Sequence, residues 1–315
     1  MAEFLTFDTD LTAVANAIRV KGGTSAQLIY PSGFVSAIQA IQTGITPKLV
    51  VTTTPGAAIT ATPAEGFKVV KGTAGADGMC TLELPKAGTW HVTAMANSVS
   101  NSQHIVIGTQ NMLLPLYHDT FANNTWEEII TVCRTGIAPD SWAVGDSKTM
   151  NIGGTAYQVD IIGKNHDEYA DGSGTAPLTF QLHDCYSEAK QMYSTNLSGL
   201  GWKNTDMRLT YLPAILALMP AEVQNGIHAV NKKTSEGGNS TTIETVSDTL
   251  FLLSEVEIFG TASSSVSGEG SQYDYYKAGN PKIKKREGVD EFWWERSSAS
   301  GGMFCRVRAN GQAGA

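Results

Sequence analysis

Four cysteines could supply thiol chemistry, but their spacing does not form a site. Cys80, Cys133, Cys185 and Cys305 are far apart and form no CxxC pair. Zinc sites use closely spaced cysteines, and disulfide scaffolds belong to much smaller secreted chains. The spacing therefore predicts neither a metal centre nor a disulfide framework, and Cys305 is expected to be a buried structural thiol.

A second candidate is the oxygen-rich segment NHDEYADGSG, residues 165–174. Hard cations such as Ca²⁺ bind carboxylates and carbonyls, so the composition would suit calcium. The spacing does not fit an EF-hand loop, however. A turn in which Asp side chains accept hydrogen bonds from nearby backbone is the favoured interpretation, and no metal or other cofactor is expected.

Aromatic side chains could stack on the apolar faces of sugar rings. The candidates are Trp202, Tyr211, Tyr273, Tyr275 and Tyr276. The last three follow a Gly- and Ser-rich loop, where exposed rings would be available. The alternative is that they pack beneath that loop with one ring free, which is favoured for any single ring. The cluster is kept as a secondary surface.

Several enzyme and nucleic-acid functions have no support in the sequence. HExxH, GxSxG, Walker and dinucleotide motifs are all missing from it, so no enzyme is expected. The formal charge of −8 also argues against a nucleic-acid partner. The one basic run, Lys282 to Arg286, is short and is predicted to be a solvated loop.

Residues 1–45 contain two short amphipathic patterns that need a partner surface. The first has a candidate cap at Asp8 or Asp10 and is stopped by Gly22 and Gly23. Its apolar residues are Leu11, Val14, Ala15 and Ile18. The apolar residues of the second are Phe34, Ile38 and Ile41. Because isolated helices this short are marginal in water, they are expected to pack in an oligomer or against another protein.

Residues 46–117 change to short alternating runs such as KLVVTTT, FKVVKGT and QHIVIG, separated by Pro and Gly. Several short strands at this spacing predict a small β-sandwich of immunoglobulin type. Trp90 is predicted to fill its core.

Residues 118–315 show mixed signals and predict an α+β domain with long loops. Thr125 and Glu128 form a capping box for the helix WEEIITVC. Gly153 and Gly154 supply a hairpin turn between two strands. Helical stretches then surround Pro213 and Pro220.

Successive segments of this last part carry a family resemblance. SWAVGDSKTMNIGGTAYQVDIIGKN, DTLFLLSEVEIFG and FWWERS…FCRV…NG resemble an uncharacterised domain, related to the C-type-lectin fold, that ends many tail proteins of gut bacteriophages. The opening LTAVANAIRVKGGTSAQLIYPSGFVSAIQAI is similar to a short N-terminal module of siphophage virion proteins. These resemblances lead us to expect a C-type-lectin-like domain at the C-terminus and a virion-attachment module at the N-terminus.

The resemblance extends to lectin-like variable proteins diversified by phage retroelements, in which a Trp-rich core strand precedes a mutated segment. It implies that Trp293 or Trp294, with Phe304, pins the segment to the core. Because successive strand residues face opposite sides, one tryptophan is expected to be deeply buried and the other partly exposed. The implied receptor contacts, pointing outward, are Glu295, Ser298, Ala299, Ser300, Met303, Arg306, Arg308, Ala309 and Gln312.

The family usually continues into a closing strand with a Gly-Val-x-Pro-like ending, whereas this chain stops at Ala315. A truncated C-terminus is therefore one expectation.

The expected function is that of a phage tail-tip receptor-binding protein. Residues 1–45 would attach to other tail proteins, 46–117 would be a spacer, and 118–315 would bind a protein or glycan receptor on the host bacterium. With neither a signal peptide nor a long apolar stretch, assembly in the host cytoplasm into the virion is expected, without membrane insertion. The resemblance implies a homotrimer. The alternatives are an oxidase like the formylglycine-generating enzyme on the same fold, or a bacterial surface adhesin.

Overall fold

The protein is a mixed α/β chain built mostly of small β-sheets with few helices. A computed structural model describes residues 8–22, 27–28, 47–64, 68–85, 87–107, 110–194, 199–299 and 303–315. The chain divides into two compact units, Met1–Leu114 and Pro115–Ala315. This division lies close to the expected boundary between residues 117 and 118. The second amphipathic pattern, with Phe34, Ile38 and Ile41, lies outside the described residues.

Helix α1 (Asp8–Gly22) is the first described element, and it matches the first amphipathic pattern. Ala15 and Ile18 are buried, whereas Val14 of the same expected apolar stripe is exposed. The buried stripe of α1 is therefore narrower than the pattern suggests.

Strands of the first unit form two sheets. One has the order β4-β1-β7 and the other the order β3-β2-β5-β6. In the first sheet β1 pairs antiparallel with β4 and parallel with β7. The strands are β1 (Lys48–Thr52), β2 (Ala58–Pro63), β3 (Val70–Thr73), β4 (Met79–Glu83), β5 (Gly88–Ala96), β6 (Val99–Ile107) and β7 (Gln110–Leu113).

Both sheets of the first unit bury alternate side chains, as a strand with one covered face requires. On β5, Trp90 and Val92 are buried, so the prediction that Trp90 lies in the core is confirmed. Gly72 on β3 lies directly against Cys80 of β4, since a Cβ at Gly72 would be 2.5 Å from the Cys80 Sγ. Glycine thus permits a close approach of the two sheets at this point.

The described part of the second unit contains short helices and four small sheets, with orders β10-β9-β8, β11-β12, β13-β14 and β15-β16-β17. Its helices are α2 (Trp126–Cys133), α3 (Leu212–Leu216), α4 (Ala221–Gly226), α5 (Glu255–Phe259) and α6 (Asp274–Lys277). Its strands are β8 (Ser147–Ile152), β9 (Thr155–Lys164), β10 (Leu178–Leu182), β11 (Val230–Ser235), β12 (Ile243–Asp248), β13 (Lys284–Arg286), β14 (Val289–Glu291), β15 (Trp293–Ser298), β16 (Phe304–Val307) and β17 (Ala313–Gly314). Single turns of 3₁₀-helix occur at Phe121–Asn123 and Trp202–Asn204, and a π-helical turn at Met207–Tyr211.

Two local sequence signals of the second unit are confirmed. The Thr125 side chain accepts a hydrogen bond from the Glu128 backbone, and the Glu128 carboxylate accepts one from the Thr125 backbone, which completes the capping box of α2. Gly153 and Gly154 join β8 to β9 with φ angles of 61° and 87°. A type I′ hairpin turn needs positive φ at both central residues, which explains the glycine pair.

Among the described residues of the second unit, three apolar clusters form the core. One is centred on Trp142, Phe121 and Ile161 and packs α2 against the β8–β9 hairpin. A second joins Ile258 of α5 to Tyr273, and a third surrounds Trp202. Strand β15 lies between the last two clusters, because Trp293 packs against one and Trp294 against the other.

Within the part of the chain that the structure describes, helices are all too short or too polar to cross a membrane.

Candidate binding site

The predicted contact segment folds as the sheet β15-β16-β17. Trp293 pairs with Val307 and Trp294 with Arg306, but the next paired residues are Ser298 and Phe304. Between them three residues of β15 face one residue of β16, so the strand bulges. The bulge interrupts the regular alternation of side-chain directions at Glu295, Arg296 and Ser297.

Neither Trp293 nor Trp294 is deeply buried, so the expectation that one indole is deeply buried and the other partly exposed is wrong. Both are half-buried. The Trp293 Nε1 donates to the Lys282 carbonyl at 2.9 Å, and the Trp294 Nε1 donates to the Lys190 carbonyl at 3.1 Å. Because protein covers both faces of β15, each indole ring packs against apolar side chains and its Nε1–H donates a hydrogen bond to a backbone carbonyl.

The expectation that Glu295, Ser298 and Ala299 point outward is also wrong, because all three are at most 3% exposed. Strand β15 lies inside the unit from Glu295 onward, with both faces covered. Ser300 lies outside the described residues. A direct contact with a receptor is excluded for the three buried side chains as long as this fold persists.

Exposed positions remain further along the segment. Met303, Arg308, Ala309 and Gln312 are exposed, and Arg306 is partly exposed. Their role as receptor contacts stays a prediction.

Two of these residues form a surface with neighbouring aromatics. The Arg306 guanidinium lies 5.3 Å from the Phe292 ring centroid, and Phe292 lies edge-on to Trp294 at 5.4 Å. Arg306 pairs across the sheet with Gly314, and the Arg308 side chain covers Gly314. Phe292, Trp294, Arg306 and Arg308 are named here the arginine face.

The arginine face carries unpaired positive charge. Among the described residues, no carboxylate forms an ion pair with Arg306 or Arg308, and the buried Nε of Arg306 has no hydrogen-bond partner. Unpaired guanidinium groups beside an exposed aromatic ring suit carboxylate or phosphate groups.

A buried charge network lies behind β15. The Arg296 side chain is fully buried and donates to the Glu257 carboxylate at 2.5 and 2.8 Å. It also donates to the backbone carbonyls of Leu252, Lys233 and Glu269. Burial alone would raise the pKa of Glu257, but Arg296 and then Lys232 hold it down at about 2.

Lys232 extends the network from β11. Its Nζ lies 2.7 Å from both the Asp167 and Glu257 carboxylates and 2.9 Å from the Tyr273 hydroxyl. The Asp167 carboxylate accepts a hydrogen bond from the Tyr273 hydroxyl at 2.7 Å and another from the Thr179 hydroxyl at 2.6 Å. Every charge is paired and hydrogen-bonded, as buried charges require.

Serine hydroxyls and backbone amides satisfy two further buried carboxylates. Glu269 accepts hydrogen bonds from the Ser235 amide at 2.7 Å and from the Ser297 hydroxyl. Glu255 accepts them from the residue 263–265 loop, including the Ser265 hydroxyl at 2.7 Å. Ser297 in turn accepts from the Glu255 amide, which ties β15 to α5.

Glu295 is the exception. It is 0% exposed and neither carboxyl oxygen has a hydrogen-bond partner among the described residues. Burial, followed by the negative charges of Glu255 and Glu269, raises the pKa of Glu295 to about 9. Glu295 is therefore a neutral carboxylic acid at pH 7.

Cys305 lies close to this neutral acid and is itself unreactive. The four cysteines are free thiols. Burial, followed by the nearby acids beginning with Glu295, raises the pKa of the Cys305 thiol far above its ordinary value. Since the thiolate is the reactive form, this environment opposes the copper–thiolate chemistry of the oxidase alternative.

Two acidic side chains of the oxygen-rich segment 165–174 have structural roles. Asp167 is part of the network, and Asp171 accepts a hydrogen bond from the Ser173 amide at 2.9 Å, as expected for a self-bonded turn. The described residues contain no group of three His, Cys, Asp or Glu side chains placed to hold a metal.

Four of the five predicted aromatic rings do not lie at a surface, whereas the fifth, Tyr211, is partly exposed. Trp202, Tyr273, Tyr275 and Tyr276 are all buried, so sugar stacking on these rings is excluded. Their size and packing against α5 and β9 explain why the Gly- and Ser-rich loop does not leave a ring free.

A cavity of about 790 Å³ opens within the second unit. Its walls come from α2, α3, α4, β10, the segment 249–253 and residues 284–294. Apolar and aromatic side chains predominate, among them Ile129, Phe180, Leu212 and Phe251. Its volume lies in the range of roughly 300 to 1,000 Å³ that small-molecule sites occupy.

Lys284 was missed as a feature of this cavity. The predicted solvated loop is instead strand β13, in which Lys284 is buried and lines the cavity. The local pattern carries no signal for this burial, because the apolar Ile283 is exposed while its charged neighbour Lys284 is buried. Arg296 was missed as well, because its partners are distant in sequence.

Comparison with known proteins gives one match. Residues 179–315 match the model of a family described as a domain of unknown function, DUF6273. The matched region begins within β10 and includes the arginine face. A search of curated proteins finds no match. A search of solved structures finds none either.

Proposed function

We propose that the chain is a receptor-binding protein of a bacteriophage tail tip, and that its arginine face binds an anionic group on the surface of the host bacterium. The observation that carries this proposal is that Arg306, beside Phe292, and Arg308, beside Gly314, have no carboxylate partner among the described residues. Arginine and aromatic residues are the types that most often dominate binding energy at interfaces.

The buried network supports this role by fixing the strand behind the face. Arg296 and Ser297 are bonded to α5 and to the Glu269 segment, so β15 has little freedom. A rigid strand positions Arg306 on β16 before binding, which reduces the entropy lost on association. Exposed neighbours can then vary without disturbing the core.

The resemblances supply the wider setting of the proposal. The second unit would be a lectin-like head, residues 46–117 an immunoglobulin-like spacer, and residues 1–45 the attachment to other tail proteins of the virion. A homotrimer is the proposed assembly. If the segment is diversified, the proposed variable positions are Met303, Arg306, Arg308, Ala309 and Gln312.

Adsorption of purified protein to bacterial cells tests the proposal. Fluorescently labelled protein is mixed with a panel of gut bacterial isolates, and cell-bound protein is measured at low and at high salt. The double variant Arg306→Glu with Arg308→Glu is expected to lose at least tenfold in affinity for every strain that the parent binds. Treating cells with protease or with periodate distinguishes a protein receptor from a glycan.

The matched control makes the same charge change elsewhere in the second unit. Lys233 and Lys285 are exposed, so Lys233→Glu with Lys285→Glu alters net charge equally and leaves the arginine face intact. The control is expected to bind as the parent does. Equal binding by the parent and the arginine double variant, with both folded, would show that the face is not the receptor site.

A further inference from the structure

Two lysines of the second unit are buried, and their surroundings differ. Lys232 is paired with the carboxylates of Asp167 and Glu257 in the charge network. Lys284 is 7% exposed, and no carboxylate of the described residues forms an ion pair with it. Its Nζ donates instead to two backbone carbonyls, those of Leu182 and His183, the latter at 2.8 Å.

This set of partners fits a neutral amine. An ammonium group has three hydrogens to donate, whereas a neutral amine has two hydrogens and one lone pair. The two carbonyls use both hydrogens and leave the lone pair available. Burial lowers the pKa of Lys284 to about 8, opposed by the nearby groups of Asp160, Cys185 and Asp184. At pH 7 about a tenth of Lys284 is therefore a neutral amine, far more than for an ordinary lysine.

The cavity gives this amine a place to act. Lys284 and Trp293 both line it, and the Lys284 Nζ lies 5.5 Å from the Trp293 ring centroid. The remaining walls, such as Phe180 and Leu182, are largely apolar. A ligand with an aromatic or aliphatic body would place its polar end near Lys284, the buried basic group of the wall.

We propose that the cavity binds an apolar aldehyde or ketone and that Lys284 holds it as a Schiff base. The Nζ lone pair attacks the carbonyl carbon, and the carbonyl oxygen takes one amine hydrogen to give a carbinolamine. The second amine hydrogen then leaves with that oxygen as water, and a C=N double bond forms. One amine and one carbonyl yield one imine and one water, with no change in oxidation state. A desolvated lysine is the nucleophile of this chemistry in other proteins.

Reductive trapping on the full chain tests this assignment. The protein is incubated with 2-naphthaldehyde and sodium cyanoborohydride at pH 7, digested, and mapped by mass spectrometry. Lys284 is expected to be modified at least about tenfold faster than exposed Lys285, because exposed lysines remain almost fully protonated at this pH. The rate at Lys284 is expected to rise with pH with a midpoint of about 8.

Two controls complete the test. Lys284→Arg should abolish the rapid adduct, whereas Lys285→Arg should leave it unchanged, with folding checked by circular dichroism. Should Lys284→Arg not fold, protection of the parent protein replaces it: 2-methylnaphthalene, which has no carbonyl, should slow labelling of Lys284 and not of Lys285. Equal labelling of the two lysines, or rapid labelling of Lys284 that 2-methylnaphthalene does not slow, would overturn the proposal.

Discussion

Replacing Glu295 by Gln is expected to stabilise the second unit at neutral pH. The pKa of Glu295 is raised from 4.5 to about 9 in the folded protein. Between these values the unfolded chain releases the proton that the folded chain keeps, so the free energy of unfolding falls as pH rises. The stability associated with this group is fully present below pH 4.5 and is lost progressively up to about pH 9. Gln has nearly the same shape and does not titrate.

The size of the effect follows from the width of the window. Each pH unit above 4.5 lowers the free energy of unfolding of the parent by about 1.4 kcal/mol through this group. At pH 7 the total is about 3.5 kcal/mol, which is a large fraction of the roughly 5 to 15 kcal/mol typical of a folded domain. The Gln variant should avoid this loss.

Urea unfolding at a series of pH values from 5 to 8 measures the difference. Tryptophan fluorescence is a suitable probe, because all tryptophans except Trp90 lie in the second unit. The free energy of unfolding of Glu295→Gln minus that of the parent should grow by about 1.4 kcal/mol per pH unit. The slope is more informative than the value at any single pH, since the effects of exchanging a carboxyl for an amide cancel from it.

Glu188→Gln is the control, because Glu188 is exposed and its pKa is lowered by Lys190. Its folded and unfolded forms are both essentially ionised above about pH 6, so the difference from the parent should stay flat from pH 6 to 8 and change only slightly below that. A flat difference for Glu295→Gln as well would refute the reasoning, and it would mean that Glu295 is ionised or solvated in the folded protein.

Other expected outcomes concern the network, its acid sensitivity and the N-terminal module. Arg296→Leu should lower the free energy of unfolding by about 3 to 5 kcal/mol in urea, because it leaves a buried carboxylate without its main partner; the exposed change Arg308→Leu should alter it by less than about 0.5 kcal/mol. Stability due to Glu257, whose pKa is about 2, should be present above pH 4.5 and be lost as pH falls towards 2. This acid-dependent slope in urea unfolding should shrink in Glu257→Gln, and an unchanged slope would assign acid unfolding to other groups. Deleting residues 1–45 should leave the second unit folded by circular dichroism but absent from purified tails, so normal incorporation would contradict an attachment role.

Short-range features of this fold follow from the sequence. The capping box at Thr125 and Glu128, the Gly153–Gly154 hairpin and the buried position of Trp90 each depend on residues close together in the chain or on one large apolar side chain. Such signals need no knowledge of what lies across the core.

Burial of polar residues could not be predicted in the same way. Glu, Ser and Lys usually lie at the surface of a protein. For this reason Glu295 and Ser298 were predicted to be receptor contacts, and Lys284 was predicted to lie in a solvated loop. Lys284 and Arg296 are buried with partners more than ten residues away, Leu182 and Glu257 respectively. Glu295 and Ser298 are buried although their side-chain oxygens have no hydrogen-bond partner among the described residues. The tyrosines after the Gly- and Ser-rich loop illustrate the same limit, because only the packing of α5 and β9 decides which rings are covered.

The free thiols give each unit its own internal reporter. Cys80 is buried in the first unit and Cys305 in the second, and burial raises the pKa of both. A thiol reagent can reach them only when the surrounding structure opens, so its rate of reaction measures the frequency of opening. With Cys133 and Cys185 replaced by Ala, one labelling experiment followed by peptide mapping would record the opening of the two units separately. The same chain would then show whether they unfold together or one at a time.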